Sequence, residues 1–189
     1  MGVADGMSRR GNKSDYYVTP FPITRGLLAN IGNLSGKTIL DPCSGSGAIG
    51  KVLREYGYKY RHVDITTGND FLEEKNHYDI IIANPPYSIK YKFIDHALKI
   101  ADMVYMIFPL GVSSYNIVFK EYLNVPNFLG KYLTSPKFFM TQNECENPIR
   151  GGCNAYAWYV WSGVNSNVKR KNNQSFEKYY NWTDYVKIN

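Results

Sequence analysis

The 189-residue chain contains no run of about 18 apolar residues and no apolar stretch of signal-peptide type near its N-terminus. Neither a membrane span nor a secretory leader is therefore expected. Met1-Gly2 opens like an acylation signal, but Gly6 stands where such a signal carries Ser or Thr. Cysteine is scarce: Cys43, Cys145 and Cys153 are odd in number and form no CxxC pair. That excludes a disulfide framework and a zinc site, and makes a reducing cytoplasm the natural compartment, bacterial or, for a phage or viral chain, that of the host. No glycine-rich stretch ends in GKS or GKT, so a Walker-type nucleotide loop is excluded, and no internal repeat is present.

Hydrophobic residues make up 44% of the chain, enough to bury a core, and the length suits one domain. Residues 1–15 are polar, Gly-rich and basic (Ser8, Arg9, Arg10, Lys13) and read as a flexible arm; residues 16–189 read as a single domain. There are 17 tyrosines, and 22 Lys and Arg against 16 Asp and Glu give a net charge of +6. A basic, aromatic-rich surface suits nucleic acid, where cations meet phosphates and rings stack on bases.

Hydrophobic spacing predicts a helix from Pro22 through Ile31, ended by Gly32 or Asn33. A short strand at Lys37 to Leu40 runs into Asp41-Pro42-Cys43-Ser44-Gly45-Ser46-Gly47, after which Ile49, Val52 and Leu53 mark one face of a second helix. Tyr58 to Ile65 reads as a strand ending at Asp64, and Asp70-Phe71-Leu72 as a weak one. The unbroken apolar run Tyr78 to Ala83 is expected to be a central parallel strand buried on both faces. It must stop at Asn84-Pro85-Pro86-Tyr87, because two prolines cannot continue a ladder. A helix over Phe93 to Ala101 and a strand over Met103 to Phe108 follow. Gly111 to Gly152 is irregular, Ala155 to Ser162 is strand-like and expected to pair with Phe138 to Thr141 or nearby residues, and Phe176 to Ile188 fits a strand, a helix or a clamp. The class is α/β: a mostly parallel twisted sheet with a C-terminal antiparallel hairpin and helices on both faces.

Two places carry chemistry. The Ser44-Gly45-Ser46-Gly47 turn lets backbone approach a ligand, the helix beyond it offers unpaired N–H groups to an anion, and Asp64 at the next strand's end can accept from a ribose. At Asn84-Pro85 a side-chain oxygen and a main-chain carbonyl form two rigid acceptors, suited to the two hydrogens of a planar NH₂ group. Tyr87 is placed to stack on a flat ring. A glycine turn alone is weak evidence, and Asn-Pro-Pro alone could be a plain turn. The position of both at strand ends, where such sheets bind ligands, is the stronger signal.

With these motifs the chain resembles the class I S-adenosylmethionine-dependent methyltransferases, in the amino-methylating branch with (D/N/S)-P-P-(Y/F/W), and within it the phage-type DNA adenine-N6 enzymes. The resemblance covers residues 15 to 163 and is specific at 41–47 and 84–87. It implies a Rossmann-like fold with S-adenosyl-L-methionine as cofactor and S-adenosyl-L-homocysteine as product. Asp41, Pro42, Cys43, Ser44, Gly45 and Gly47 would line the methionine half, Asp64 with Ile65 would hold the ribose side, and Asp70 and Phe71 would take the adenine amino group and ring. Tyr16-Tyr17-Val18-Thr19-Pro20 is similar to the N-terminal motif, so Tyr17, Thr19 and Pro20 would close over the cofactor. Asn84, Pro85, Pro86 and Tyr87 would be the catalytic motif, with Asn84 also near the cofactor. Ala157-Trp158-Tyr159-Val160-Trp161 resembles the closing strand.

The implied activity is methylation of the exocyclic N6 of adenine in DNA, without a metal and without a strong base. Phe138 or Phe139 is a candidate opposite wall for the base. Two departures stand out: only about a dozen residues separate Asp64 from Tyr78, so one helix of the usual fold is missing or very short, and there is no room for a target-recognition domain. DNA contact would fall to Gly111–Gly152, with Lys120, Lys131, Lys137 and Arg150, or to Lys169-Arg170-Lys171. The rival readings are adenine-N6 methylation of RNA, methylation of a glutamine amide in a protein, and a nucleic-acid-binding module without catalysis. Nucleic acid, foremost DNA, is the expected partner, with no membrane, and the chain is expected to be a monomer or a homodimer.

Overall fold

Strand β3, Tyr78–Ala83, is the axis of the molecule. Ile81 and Ala83 face one apolar cluster while Ile80 and Ile82 face the other, so period-two alternation buries an unbroken apolar run on both sides. The computed structural model describes residues 16–114, 116, 119–152, 154–168, 170 and 174–187; the expected arm at 1–15, Cys153, Lys169 and Lys171 lie outside them.

Chain order is α1 (Phe21–Ile31), β1 (Ile39–Asp41), α2 (Ala48–Glu55), β2 (Arg61–His62), β3, α3 (Lys90–Ile100), β4 (Ala101–Pro109), β5 (Phe128–Ser135), β6 (Tyr156–Ser162) and β7 (Phe176–Asn181). Among the described residues seven strands lie in the order β2-β1-β3-β4-β6-β5-β7, with only β6 antiparallel to its neighbours. Helices α1 and α2 pack through Ile23, Leu27, Ile49, Val52 and Leu53 on the face with Ile80 and Trp158. Helix α3 packs through Phe93, Ile94 and Ala97 on the opposite face, with Ile81, Met106 and Tyr159. Among the described residues no helix is long and apolar enough to cross a membrane.

Three expectations change, and one open reading is settled. The partner of β6 in the antiparallel hairpin is β5 at Phe128–Ser135, not Phe138 to Thr141, which makes only isolated bridges. Strand β2 keeps two residues of the eight expected, because beyond His62 the chain turns into a 3₁₀ segment capped by Asp64. Asp70-Phe71-Leu72 is no strand: Asp70 caps a second 3₁₀ turn, Phe71–Glu73, by accepting from the Leu72 N–H at 2.9 Å. These two short turns stand where the usual fold has a helix. Phe176 to Asn181 resolves as β7, parallel to β5, followed by a 3₁₀ turn at Trp182–Tyr185.

Arg25 is a charged residue on the buried face of α1, 5% exposed. Its guanidinium donates from Nε and Nη2 to Glu55 at 2.8 and 3.0 Å, from Nη1 and Nη2 to Glu146 at 2.5 and 3.1 Å, and from Nη1 to the Tyr185 carbonyl at 3.1 Å. One cation thus ties α1, α2, the 141–150 segment and the C-terminal turn together. Replacement by Ala leaves two facing carboxylates, each about one-quarter exposed and able to take up water. Arg25→Ala is expected to lower stability by about 3 kcal/mol, the low end of the cost of breaking a buried pair, read as a reduced midpoint in urea unfolding.

Candidate active site at the strand ends

Parallel pairing of β1 with β3, Ile39 beside Ile80 and Leu40 beside Ile81, brings the C-terminal ends of both strands out side by side. The glycine turn after Asp41 and the Asn84–Tyr87 turn after Ala83 are therefore neighbours. The Cys43 thiol joins them, donating to the main-chain carbonyl of Asn84 at 3.3 Å. Burial, then the charges of Asp41 and Asp64, push that thiol well above its usual range, so it remains a protonated donor.

Main-chain bonds carry the β1–β2 ladder past the strands: Val63 N–H to Asp41 carbonyl at 3.0 Å and Ser44 N–H to Val63 carbonyl at 3.2 Å. Asp64 is delivered to the turn by that ladder. Its Oδ2 accepts from the Gly45 N–H at 2.7 Å, and its Oδ1 accepts from the Thr66 N–H and hydroxyl at 2.9 and 2.6 Å. Burial raises the Asp64 pKa, but the bonds from Thr66 and Gly45 outweigh it and hold the carboxyl below its usual range. Asp64 is thus an ionised bridge between the two strand ends.

The turn itself closes with the Gly47 N–H on the Ser44 carbonyl at 2.7 Å. Gly47, at φ 82°, caps α2 in the left-handed region, where an L side chain is strained. Beneath it lies Asp41, 1% exposed. Among the described residues, one carboxylate oxygen receives only a long 3.5 Å approach from the Cys43 N–H, and the other is buried with no partner. Burial is the main cause that raises this carboxyl to about 7, with the Asp64 charge adding to it. The Thr19 hydroxyl is a second buried polar atom with no hydrogen-bond partner among the described residues. Buried orphans of this kind mark a strain reservoir or a place that a ligand completes.

At the other turn, the Asn84 amide donates its NH₂ to the Tyr17 carbonyl at 2.8 Å. A carbonyl demands a donor, so this bond fixes the amide and leaves Oδ1 as the atom available to accept. Pro85 is buried, and the Tyr87 ring lies 5.9 Å from Phe108 on the core side and 6.4 Å from Tyr17, nearly parallel to the latter at 20°. The Tyr17 segment is pinned from behind, Val18 N–H to Thr141 carbonyl at 2.8 Å and Phe21 N–H to Cys145 carbonyl at 3.0 Å.

The residues expected from the sequence are thus gathered unevenly. Asp41, Cys43, Ser44, Gly45, Gly47, Asp64, Asn84 and Tyr87 meet at one end of the sheet, with Tyr17 and Thr19 arriving from the N-terminal segment; Pro20 and Pro42 are buried supports. Ile65 is 72% exposed, an open apolar side chain next to Asp64. Phe71 corrects the expectation that it packs on a ligand ring: it is 2% exposed and wedged 4.9 Å from both Phe93 and His96, so its ring is an anchor of the core. Phe138 is likewise no wall, being wholly buried against Tyr156 and Trp182, while Phe139 is exposed. Sequence reasoning missed Phe108, which backs Tyr87. Tyr16, placed in the N-terminal motif without a role of its own, lies with its ring against Gly45.

No family model and no curated protein matches the chain. Solved structures resemble it. A Pyrococcus horikoshii protein assigned as an RNA methyltransferase aligns with 76% of this chain and 84% of its own, at a TM-score of 0.53 and 18% identity. The M protein of the type I restriction enzyme EcoKI aligns with 87% of this chain and 48% of its own, at 0.52 and 10%. TrmN from Thermus thermophilus aligns with 75% and 48%, at 0.50 and 14%. The chain spans about half the length of the last two. At such identities the likeness is one of fold, and the fold is the Rossmann-like one of these methyltransferases.

The raised Asp41 carboxyl has a measurable sign. Between its unfolded value, near 3.8, and its folded value, about 7, the native state binds the extra proton, so stability falls as pH rises through this window. From pH 5.5 to pH 8 this costs about 2 kcal/mol at roughly 1.4 kcal/mol per unit. Asp41→Asn, which has no such proton to lose, is expected to show a smaller decline by that amount in urea unfolding at the two pH values.

Proposed function

We propose that the chain is an S-adenosylmethionine-dependent methyltransferase acting on the exocyclic N6 of adenine in DNA. The observation that carries this reading is one site that joins two incomplete halves. A glycine turn lies over a buried carboxylate with an unpartnered oxygen, and the Cys43–Asn84 bond holds it to an Asn-Pro-Pro-Tyr turn.

The residues present fit the cofactor. The unpartnered Asp41 oxygen, and Thr19 beside the N-terminal segment, suit its ammonium group, while the Ser44–Gly47 turn and the first N–H groups of α2 suit its carboxylate. Asp64 has lone pairs left for ribose hydroxyls, Ile65 offers an apolar face for the adenine, and Asp70 keeps one oxygen for its amino group. When bound, S-adenosylmethionine supplies an electrophilic methyl group on a sulfonium, leaving S-adenosylhomocysteine as product.

The protein's own part is positional. Asn84 Oδ1 and the Pro85 carbonyl accept the two hydrogens of the target amino group and aim the nitrogen lone pair, and Tyr87 stacks on the base. Pro86 stiffens the turn and starts the 3₁₀ segment that carries Tyr87. No base is required, because the amine sheds its surplus proton to water after transfer. An adenine within a duplex must first leave the stack, at a cost of a few kcal/mol. Nucleic acid as the substrate is supported by exposed Lys92 and Lys120, on two segments joined at the Tyr91–Tyr122 ring stack (5.4 Å, 16°). RNA is the second reading, favoured by the likeness to the Pyrococcus horikoshii protein assigned as an RNA methyltransferase.

Tritiated methyl transfer to unmethylated duplex DNA, single-stranded DNA and total RNA in parallel, followed by nucleoside analysis, tests this. Label is expected in N6-methyladenine, with duplex DNA the best acceptor; label in RNA alone selects the second reading, and label in none of the three acceptors rejects both. Asn84→Ala is expected to lower transfer by at least about a hundredfold, as loss of a group that aligns the reacting atoms does, with cofactor binding retained. Full turnover in that variant would remove Asn84 from the mechanism.

A further inference from the structure

We infer that a two-stranded ribbon beside the site, residues 137–139 against 149–151, is the surface that reads duplex DNA, with Phe139 and Ile149 set against thymine methyl groups in the major groove. The inference rests on the DNA reading above and deepens it: it assigns the contact with the substrate outside the target base and distinguishes DNA from RNA.

The ribbon stands at the site's end of the sheet. Strand β5 is antiparallel to β6, β6 is antiparallel to β4, and β4 is parallel to β3, so β5 ends and β6 begins where β3 ends. Between them the chain doubles back on itself. The Phe139 N–H donates to the Ile149 carbonyl at 3.0 Å and the Gly151 N–H to the Lys137 carbonyl at 2.9 Å, with Phe138 opposite Arg150. The ribbon is also tied to the catalytic turn. Two residues beyond Phe139, the Thr141 carbonyl accepts from the Val18 N–H at 2.8 Å, and the Tyr17 carbonyl just before Val18 holds the Asn84 amide.

Side chains alternate between faces along extended backbone, and directly opposed residues share a face. One face of the ribbon packs on the core: Phe138 is wholly buried against Tyr156 and Trp182, and the Arg150 guanidinium lies 5.9 Å from the Trp182 ring. The other face therefore carries Lys137, Phe139 and Ile149. Phe139 is 44% exposed and Ile149 68%, two large apolar side chains side by side in water.

Three features select the occupant of that face. Lys137 and Arg150 are exposed, whereas the two acidic residues of the same segment are engaged by cations, Glu144 by Lys51 and Glu146 by Arg25. The ribbon is thus left positive, as a phosphate backbone requires. A two-stranded ribbon fits the B-form major groove, while that of A-form RNA is too deep and narrow for side chains to read. The thymine 5-methyl is the one apolar group that base edges present in the groove, so Phe139 and Ile149 can be covered there without stripping water from polar atoms. Uracil offers no such group.

The test uses two unmethylated duplexes amplified from one template, with dTTP or with dUTP, which differ in the thymine methyl groups. Tritiated methyl transfer from S-adenosylmethionine to each is measured with the full chain. The uracil duplex is expected to have a kcat/KM lower by about fourfold for each methyl read, the worth of one buried group of that size. Phe139→Ala and Ile149→Ala should each lower transfer to the thymine duplex and shrink the difference between the two duplexes, and the double variant should abolish it. Calorimetry with S-adenosylhomocysteine should give the wild-type affinity in all three, since the exposed face is not part of the cofactor half. No difference between the duplexes in the wild type, or an undiminished one in the double variant, overturns the reading face and leaves the adenine reading standing. A dimer in sedimentation that Ile149→Asp dissociates, with the difference between duplexes kept, makes the face a contact between copies and likewise overturns it. Transfer to RNA alone overturns the DNA reading, and this proposal with it.

Discussion

The parallel pairing of β1 with β3 is the constraint on which the rest of the site depends. Strands hydrogen-bonded side by side and running the same way must release their chains at the same end of the sheet. Asp41 and Asn84, 43 positions apart in sequence, therefore open adjacent turns. Every later contact refines that juxtaposition. Cys43 bonds across from one turn to the other, Asp64 reaches in from the β2 side to the Gly45 N–H, and Asn84 reaches out to the Tyr17 carbonyl. No side chain in this set makes its contact within its own element. The geometry of the site is thus a property of the sheet, and a slip of β3 by one residue would turn Ile81 and Ala83 to the wrong face and misplace Asn84 with them.

Two carboxylates of the same type are set to opposite uses by their surroundings. Asp64 is surrounded by N–H and hydroxyl donors and stays ionised, holding the turn in shape. Asp41 sits below the same turn with almost no donors, and burial drives it toward the neutral form. A buried carboxyl left in that condition destabilises the protein by itself. It becomes favourable when a cation comes within reach, since that restores the charged form. On the proposed reading, the arrangement gives up stability in the free protein in exchange for affinity, as functional sites commonly do.

How much of this could be read in the sequence follows from the range of each signal. The β3 run, the stop at Asn84-Pro85 and helix α1 from its Pro-bearing first turn to Gly32 depend on local patterns, and the parallel pairing of β3 follows from alternating strands and helices. Strand β5 escaped because it lies between Pro126 and Pro136 and carries a bulge near Gly130, so its alternation is interrupted. Phe71 was misread because an aromatic beside an acidic cap gives no sign of which way it turns; the answer lies with Phe93 and His96, more than 20 positions on. Arg25 was invisible for the same reason, its partners being 30 and 121 positions away. The tyrosine excess also changes meaning. Tyr78, Tyr105, Tyr132, Tyr156, Tyr159 and Tyr180 are buried, and the Tyr180 hydroxyl bonds the Ile23 carbonyl at 2.7 Å while receiving the Trp158 indole N–H at 3.2 Å. Much of the aromatic content therefore builds the core, and nucleic acid is argued from two exposed lysines beside a half-buried ring stack rather than from composition.

The central claim is that the turn over Asp41 is a cofactor site. Calorimetric titration of the chain with S-adenosylmethionine at pH 8, where Asp41 is ionised, tests it most directly. Saturable binding at one site per chain, weakening as the pH falls below about 7, is the predicted result. An absence of heat with tens of micromolar protein and excess ligand, at either pH, would contradict the account.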